Sequence, residues 1–173
     1  IPEIREKFYK LIKTLDFKAQ FIVARKKEGI FLKTHQGNEN NFYDDLVSKL
    51  FENQLHTSAN NSIYFAVRGN KDRQSPLNDA IVTAKSAFER KWKIKVDTNI
   101  VIQAQSSVGE PCLQVIDYVN WAVQRAFLRG EMRYYKFIED KISYLVDIYD
   151  FDKYPKNFYH RKNPFDVTKM SPI

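Results

Sequence analysis

The spacing of Gln114 and Asp117 is the feature of this sequence that could support chemistry. Residues 112–129 are strongly apolar and are predicted to form a helix, on which residues three apart are neighbours. The two polar side chains therefore lie one turn apart on the same face. A carboxylate placed there could bind a metal ion, pair with Arg125, or accept a hydrogen bond from a backbone N–H group.

Helical geometry, at about 100° per residue, separates this segment into two faces. The apolar face comprises Val115, Ile116, Val119, Ala122, Val123 and Ala126. The polar face comprises Gln114, Asp117, Trp121, Gln124 and Arg125. Because a Gln-x-x-Asp spacing is short and arises by chance, an alternative stays open, in which Asp117 hydrogen-bonds a neighbouring loop and only fixes its own helix in place.

The segment that contains this pair resembles the C-terminal signature of domain-of-unknown-function family 3800. The resemblance is carried by residues 113–122 (LQVIDYVNWA), by Tyr134 and Tyr135, and by residues 138–142 (IEDKI). It extends over most of residues 3–145, and its specific part is residues 106–142. Members of this family are similar to ribonuclease H-like proteins in fold. They typically carry an Asp-Glu pair on a first strand and a Gln-x-x-Asp motif on a late helix.

The resemblance implies that Gln114 and Asp117 belong to a divalent-metal site that acts on phosphodiesters. In that role Asp117 is a metal ligand, and Gln114 orients it or contacts the substrate. Two-metal phosphoryl chemistry holds the ions about 3.5–4 Å apart and therefore requires several carboxylates. The expected further carboxylate ligands are Asp72 and Glu110, and the implied metal is Mg²⁺ or Mn²⁺.

The Asp-Glu pair of the family has no counterpart in this sequence, because the chain begins within what would be the helix after the first strands. The adjacent acids Asp44 and Asp45 lie on a predicted helix and do not match that pair. Since the sequence starts with Ile1 and Pro2 instead of methionine, we expect additional residues upstream.

Strands alternate with helices along most of the chain, which favours a mostly parallel sheet covered by helices. The predicted helices are 3–15, 42–55, 75–91, 112–129 and 134–149, and the predicted strands are 17–26, 62–67 and 93–105. Ser75 is predicted to be the N-cap of the third helix, with Pro76 as its first residue. We therefore expect an α/β fold, ribonuclease H-like by resemblance, with a mostly parallel sheet, helices on both faces and its first strands missing.

Positive charge is concentrated in three parts of the chain. Lys and Arg number 28 against 21 Asp and Glu, a formal net charge of +7. Residues 1–33 carry nine bases and four acids, residues 85–95 carry five and one, and residues 151–173 carry five and two. Converging segments of this kind would attract nucleic acid, whereas the alternative is a solvated lysine-rich surface. The expected nucleic-acid contacts are Arg25, Lys26, Arg68, Lys71, Arg73 and Arg125.

Residues 150–173 are predicted to form a tail after a single α/β domain of residues 1–149. The tail interleaves aromatic with basic residues, so it could stack on single-stranded bases or pack its rings onto the domain or a partner subunit. Cys112 is the sole cysteine, which excludes an intramolecular disulfide and suits a reducing, cytoplasmic compartment.

No stretch approaches the ~18 consecutive apolar residues of a membrane span, so no membrane partner is expected. No glycine-rich phosphate loop is present either. The function that the residues and the resemblance favour is a metal-dependent nuclease or phosphodiesterase. The alternative is a non-catalytic module that binds nucleic acid or another protein.

Overall fold

The computed structural model describes residues 2–67 and 73–172, which form a mixed α/β structure. In chain order the elements are α1 (Pro2–Thr14), β1 (Ala19–Val23), α2 (Glu28–His35), α3 (Glu39–Phe51), β2 (Asn60–Ala66), α4 (Gln74–Trp92), β3 (Asn99–Gln105), α5 (Pro111–Arg129), α6 (Tyr135–Ile138), β4 (Ile142–Asp147) and β5 (Phe158–His160). They belong to two compact units. Unit 1 comprises the chain up to Arg25 and from Gln114 onward, and unit 2 comprises Lys26–Leu113.

The core of unit 1 is built on a three-stranded sheet in the order β1-β4-β5. Leu145 is fully buried at its centre, opposite Phe21 of the parallel strand β1 and Tyr159 of the antiparallel strand β5. Helices α1, α5 and α6 contribute Tyr9, Ile12, Val119, Ala122, Val123, Ala126, Phe127, Tyr135 and Ile138 to the same buried cluster. This packing fixes α5, the helix that carries Gln114 and Asp117.

The core of unit 2 joins a two-stranded sheet to two helices. β2 runs parallel to β3, with Ile63 opposite Ile102. Helices α3 and α4 contribute Val47, Leu77, Ala80, Ile81 and Ala84 to the buried cluster that includes Ile63. The side chains of β2 alternate, because Ile63 faces this cluster while its neighbours Ser62 and Tyr64 are exposed.

The prediction of one mostly parallel sheet is wrong. The described strands form two small sheets, and β5 makes the larger one mixed. A parallel neighbour needs a crossover connection of about a dozen residues or more, usually a helix. Between β4 and β5, residues 148–157 contain turns and a short 3₁₀ segment (Phe151–Lys153), so the chain returns antiparallel.

The helix predicted for residues 134–149 is wrong beyond its first turn. α6 ends at Ile138, and a single 3₁₀ turn leads into the strand β4. The sequence of β4, ISYLVD, is rich in β-branched and aromatic residues, and Leu145 and Asp147 are buried on one side. Pairing with β1 on one edge and β5 on the other therefore decides the conformation of this segment.

Two smaller differences concern the helices of unit 2. The segment Glu28–His35 forms α2, a helix that the sequence pattern does not predict. Ser75 is not the N-cap of α4, because the helix begins at Gln74 and its N-cap position is Arg73. Pro76 still lies in the first turn, where its missing N–H group leaves no hydrogen bond unmade.

The C-terminal segment packs onto unit 1. Residues 158–160 form β5, and the rings of Tyr159 and Phe165 are buried. Phe165 stacks on Phe127 of α5 with a centroid distance of 4.6 Å. This arrangement supports the packing alternative for the aromatic residues of the tail. Across the described ranges, no helix has the length and apolar character that crossing a membrane requires.

The burial of Tyr159 leads to a prediction about alkaline stability. Burial raises the pKa of Tyr159 from 10.0 to about 12, and the charges of Asp150 and Asp147 add to the increase. An unfolded tyrosine ionises at lower pH than this folded one, so its contribution to stability is complete below pH 10. That contribution is expected to be lost as pH rises from 10 to 12.

The variant Tyr159→Phe is expected to remove one high-pH step from the tyrosinate absorbance titration and to make the loss of stability above pH 10 shallower. Tyr154→Phe is the matched control, because this ring is 76% exposed. If both variants titrate alike, Tyr159 does not have a raised pKa.

Candidate functional site

Helix α5 positions the two residues that the sequence singles out. The helix begins at Pro111, a residue whose fixed φ suits the first helical position. The carboxylate of Glu110 accepts a hydrogen bond from the Cys112 N–H at 3.3 Å and so satisfies one of the N–H groups at the helix start. Glu110, predicted as a metal ligand, is therefore half-buried and engaged at this terminus.

The two faces of α5 lie largely where the periodicity predicts. Val119, Ala122, Val123 and Ala126 are buried in the core of unit 1. Gln114, Asp117 and Gln124 are exposed, while Trp121 and Arg125 are half-buried. Ile116 departs from the prediction, because it is half exposed instead of facing the core.

The carboxylate of Asp117 is exposed, and it forms no hydrogen bond or ion pair with any residue in the described ranges. The alternative in which Asp117 fixes its own helix to a neighbouring loop has no such contact to support it. Arg125, the other partner considered for Asp117, instead forms an ion pair with Glu131, to which its Nε donates a hydrogen bond at 2.6 Å.

The described residues do not assemble a metal site around Asp117. Among them, no three His, Cys, Asp or Glu side chains are grouped so that they could hold a metal ion. Asp72, the other predicted carboxylate ligand, lies outside the described residues. A lone carboxylate does not fit a two-metal centre, so no reaction step through a metal follows from these residues.

On the polar face of α5, the ring of Trp121 contacts two arginines and a tyrosine. The guanidinium groups of Arg5 and Arg125 lie 4.9 and 5.3 Å from the centroid of this ring, within cation–π distance. Tyr134 contacts the same ring edge-on at 4.9 Å. Two guanidinium groups are thus held beside one aromatic ring, one turn after Asp117.

Helix α1 is fixed to α5 through aromatic contacts. The hydroxyl of Tyr9 donates a 2.7 Å hydrogen bond to the backbone carbonyl of Tyr118, and Phe8 lies 4.1 Å from the ring of Tyr118. Burial raises the pKa of Tyr9, so its hydroxyl stays protonated and remains a donor. Arg5 therefore reaches Trp121 from a well-anchored helix.

The exposed side of α1 carries a row of lysines that the expected nucleic-acid contacts do not include. Lys7, Lys10 and Lys13 are spaced three apart, are exposed, and form no ion pair with the part of the chain that the structure describes. The signal that could have identified them is the three-residue repeat of lysine within the amphipathic helix predicted for residues 3–15.

Arg25, one of the residues predicted to contact nucleic acid, lies in a buried cluster of ion pairs. Arg25 is 9% exposed and donates hydrogen bonds to the carboxylates of Asp147 at 2.9 Å and Asp150 at 3.4 Å, so this placement does not support a role for Arg25 in phosphate binding. Arg68 and Lys71 lie outside the described residues.

Two further predicted contacts lie in unit 2, and each is paired with an acid. The ammonium of Lys26 binds Glu39 at 2.6 Å, and this hydrogen bond lowers the pKa of Glu39. Arg73 forms an ion pair with Asp44. Neither cation is without an acidic partner, so both would have to exchange that partner to bind phosphate.

Comparison of the chain with models of protein families, with curated protein sequences and with solved structures found no match.

Proposed function

We propose that this protein binds nucleic acid through the α1–α5 surface of unit 1, a name that here covers Trp121 with Arg5 and, further around α1, the lysines Lys7, Lys10 and Lys13. The observation that carries the proposal is that the guanidinium groups of Arg5 and Arg125 both lie within cation–π distance of the Trp121 ring. Lys7, Lys10 and Lys13 are on the same helix as Arg5 but lie about 80–160° around it, so they extend the positive charge along another side of α1.

The chemistry of this surface suits a single strand. Unpaired ammonium groups bind phosphates and release counterions, which provides affinity that does not depend on base sequence. A base could stack on the guanidinium plane of Arg5 or Arg125, which the Trp121 ring supports. The net charge of +7 favours association with a polyanion in general.

Metal-dependent cleavage of phosphodiesters, on a ribonuclease H-like fold, is the second candidate. It is favoured by the exposed carboxylate of Asp117, which has no structural partner in the described ranges, and by the resemblance of its surroundings to family 3800. In this proposal Asp117 would be one ligand of Mg²⁺ or Mn²⁺, and further carboxylate ligands would be required. Gln114 would contact the substrate or orient Asp117.

Binding is tested with a fluorescein-labelled oligodeoxythymidine and a labelled duplex, by fluorescence anisotropy over a series of salt concentrations. Replacing Lys7, Lys10 and Lys13 with glutamine is expected to weaken single-strand binding at least tenfold at low salt. The slope of log K against log salt should become shallower by about 2, since each lost phosphate contact contributes about 0.7. The matched control replaces the exposed cations Lys33, Arg90 and Lys95 of unit 2 with glutamine.

An equal loss in both triple variants would assign the binding to net charge alone and would remove the α1–α5 surface from the proposal. Cleavage is tested with the same substrates plus Mg²⁺ or Mn²⁺, comparing Asp117→Asn with Asp152→Asn, another exposed acid of unit 1. Loss of cleavage in Asp117→Asn alone supports the second candidate. Cleavage that survives this change removes Asp117 from the reaction.

A further inference from the structure

The outer edge of β3 in unit 2 presents backbone groups that a further strand could use. The bonds from Asn99 N–H to the Ala59 carbonyl and from Val67 N–H to the Gln105 carbonyl show that odd-numbered residues of β3 face β2. Backbone groups alternate along a strand, so the N–H and C=O groups of Ile100 and Ile102 point away from β2. In the described part of unit 2, no third strand pairs with them.

One hydrogen-bonding position on this edge is occupied by the side chain of Gln74, which forms the bonds that a strand residue would form. The amide of Gln74 donates from Nε2 to the Ile102 carbonyl at 2.9 Å and accepts from the Ala104 N–H at 3.1 Å. A residue of a parallel neighbouring strand bonds the carbonyl of one residue and the N–H of the residue two further on, which is the same pattern. Gln74 thus occupies the place of one residue in a parallel strand.

The next position in the same register lies at the Ile100 carbonyl and the Ile102 N–H. A groove of about 530 Å³ runs along this part of the edge. It is lined mainly by apolar side chains of α4 and β3, together with Gln74, Asn78 and Lys85. Lys85 forms no ion pair with a residue in the described ranges. The groove therefore combines strand-edge hydrogen bonding, apolar contacts and one cation.

We propose that this edge binds an extended peptide segment of another protein, added as a strand parallel to β3. One apolar side chain of the segment, opposite Ile102, would face Ile81 and Val82, and an acidic residue at its amino-terminal end would meet Lys85. The positive charge of Lys85 favours an acidic residue in the segment. Because α4 begins beside the C-terminal end of β3, Lys85 lies further along α4, towards the start of β3. The acidic residue is therefore placed at the amino-terminal end of the parallel segment.

A second copy of this chain fits the edge less well. Two copies that paired through β3 about a twofold axis would place their strands antiparallel. The bonding pattern of Gln74 belongs to a parallel neighbour instead. The proposed occupant is therefore a strand of another protein. A concentration-dependent dimer that forms through β3 would contradict the proposal.

The probe is a fluorescein-labelled synthetic peptide of alternating threonine and valine with an amino-terminal glutamate, measured by fluorescence anisotropy. The valines face α4, so the N–H groups of the threonines point to β3 and those of the valines point away. Methylating the threonine nitrogens is expected to weaken binding at least tenfold, since each lost hydrogen bond to a carbonyl is worth about a factor of ten. Methylating the valine nitrogens, the matched control, should change affinity by less than about threefold.

Two further readouts locate the peptide on the protein. Exchange of the Ile102 amide hydrogen should slow when the peptide is bound, and Lys85→Glu should weaken the glutamate peptide while leaving its glutamine counterpart nearly unchanged. Absence of binding at millimolar peptide, equal losses for both methylated peptides, or dimerisation through β3 that excludes the peptide would each overturn the proposal.

Discussion

Replacing Arg25 with alanine is expected to lower the free energy of unfolding of unit 1 by about 3–5 kcal/mol. Arg25 lies just after β1, and its guanidinium bonds two carboxylates that are fully buried, Asp147 at the end of β4 and Asp150 just beyond. Removing the cation would leave two buried like charges close together. That penalty exceeds the loss of the hydrogen bonds themselves.

The measurement is urea unfolding followed by the fluorescence of Trp121, in a Trp92→Phe background so that the signal comes from unit 1. Trp92 is 54% exposed, so its replacement should itself cost little. Lys26→Ala is the control. Lys26 is adjacent in sequence, but its ion pair with Glu39 is solvent-exposed, and exposed pairs contribute little to stability. Equal effects of the two alanine variants would contradict the prediction.

The same arginine also fixes the C-terminal residues. One guanidinium nitrogen of Arg25 donates to the carbonyl of Pro172 at 2.8 Å, and the carboxylate of Asp150 accepts from the Ser171 N–H at 2.9 Å. The cluster thus joins the ends of β1 and β4 to the last described residues. In Arg25→Ala, the backbone amide of Ser171 should accordingly exchange its hydrogen faster than in the unchanged protein.

The position of Arg25 shows why charge counting along the sequence does not indicate which basic residues are accessible. In the sequence, Arg25 and Lys26 are equivalent members of a basic segment, but one lies inside a buried cluster and the other is exposed. Their difference depends on Asp147 and Asp150, which are more than a hundred residues away. Long-range pairing of this kind leaves no local pattern in the sequence.

Helix α5 could be predicted because its information is local. Its apolar period, its initial proline and the glycine after it determine both ends and the buried face. The exposure of Asp117 follows from the same period. The contacts of Trp121 with two arginines could be predicted only in part, since Arg125 is one turn away and Arg5 is on a different helix.

The strand β4 could not be predicted in the same way. Its six residues follow α6 after one 3₁₀ turn, and their conformation depends on ladders with β1 and β5, which lie on either side of it in the sheet. The same holds for β5, whose three residues are too few to show a period. Short strands that are defined by their partners are therefore where the sequence pattern and the structure differ most.

Replacing Leu145 with alanine tests this part of the fold directly. Leu145 is fully buried at the centre of β4, between Phe21 and Tyr159 on the neighbouring strands. A leucine-to-alanine change at such a site removes apolar contact and leaves a cavity, so unfolding of unit 1 should become easier by about 2–5 kcal/mol. The same Trp121 fluorescence assay measures the change.

The matched control is Leu128→Ala, because Leu128 is 60% exposed on α5 and alanine is a good helix former. Its expected effect is within about 0.5 kcal/mol. Because the sequence pattern predicts a helix over 134–149 where the structure has β4, the comparison also distinguishes two structures. A strand that pairs with β1 and β5 places Leu145 at the centre of the core, so a small effect of Leu145→Ala, close to that of Leu128→Ala, would contradict the position of β4 in the sheet.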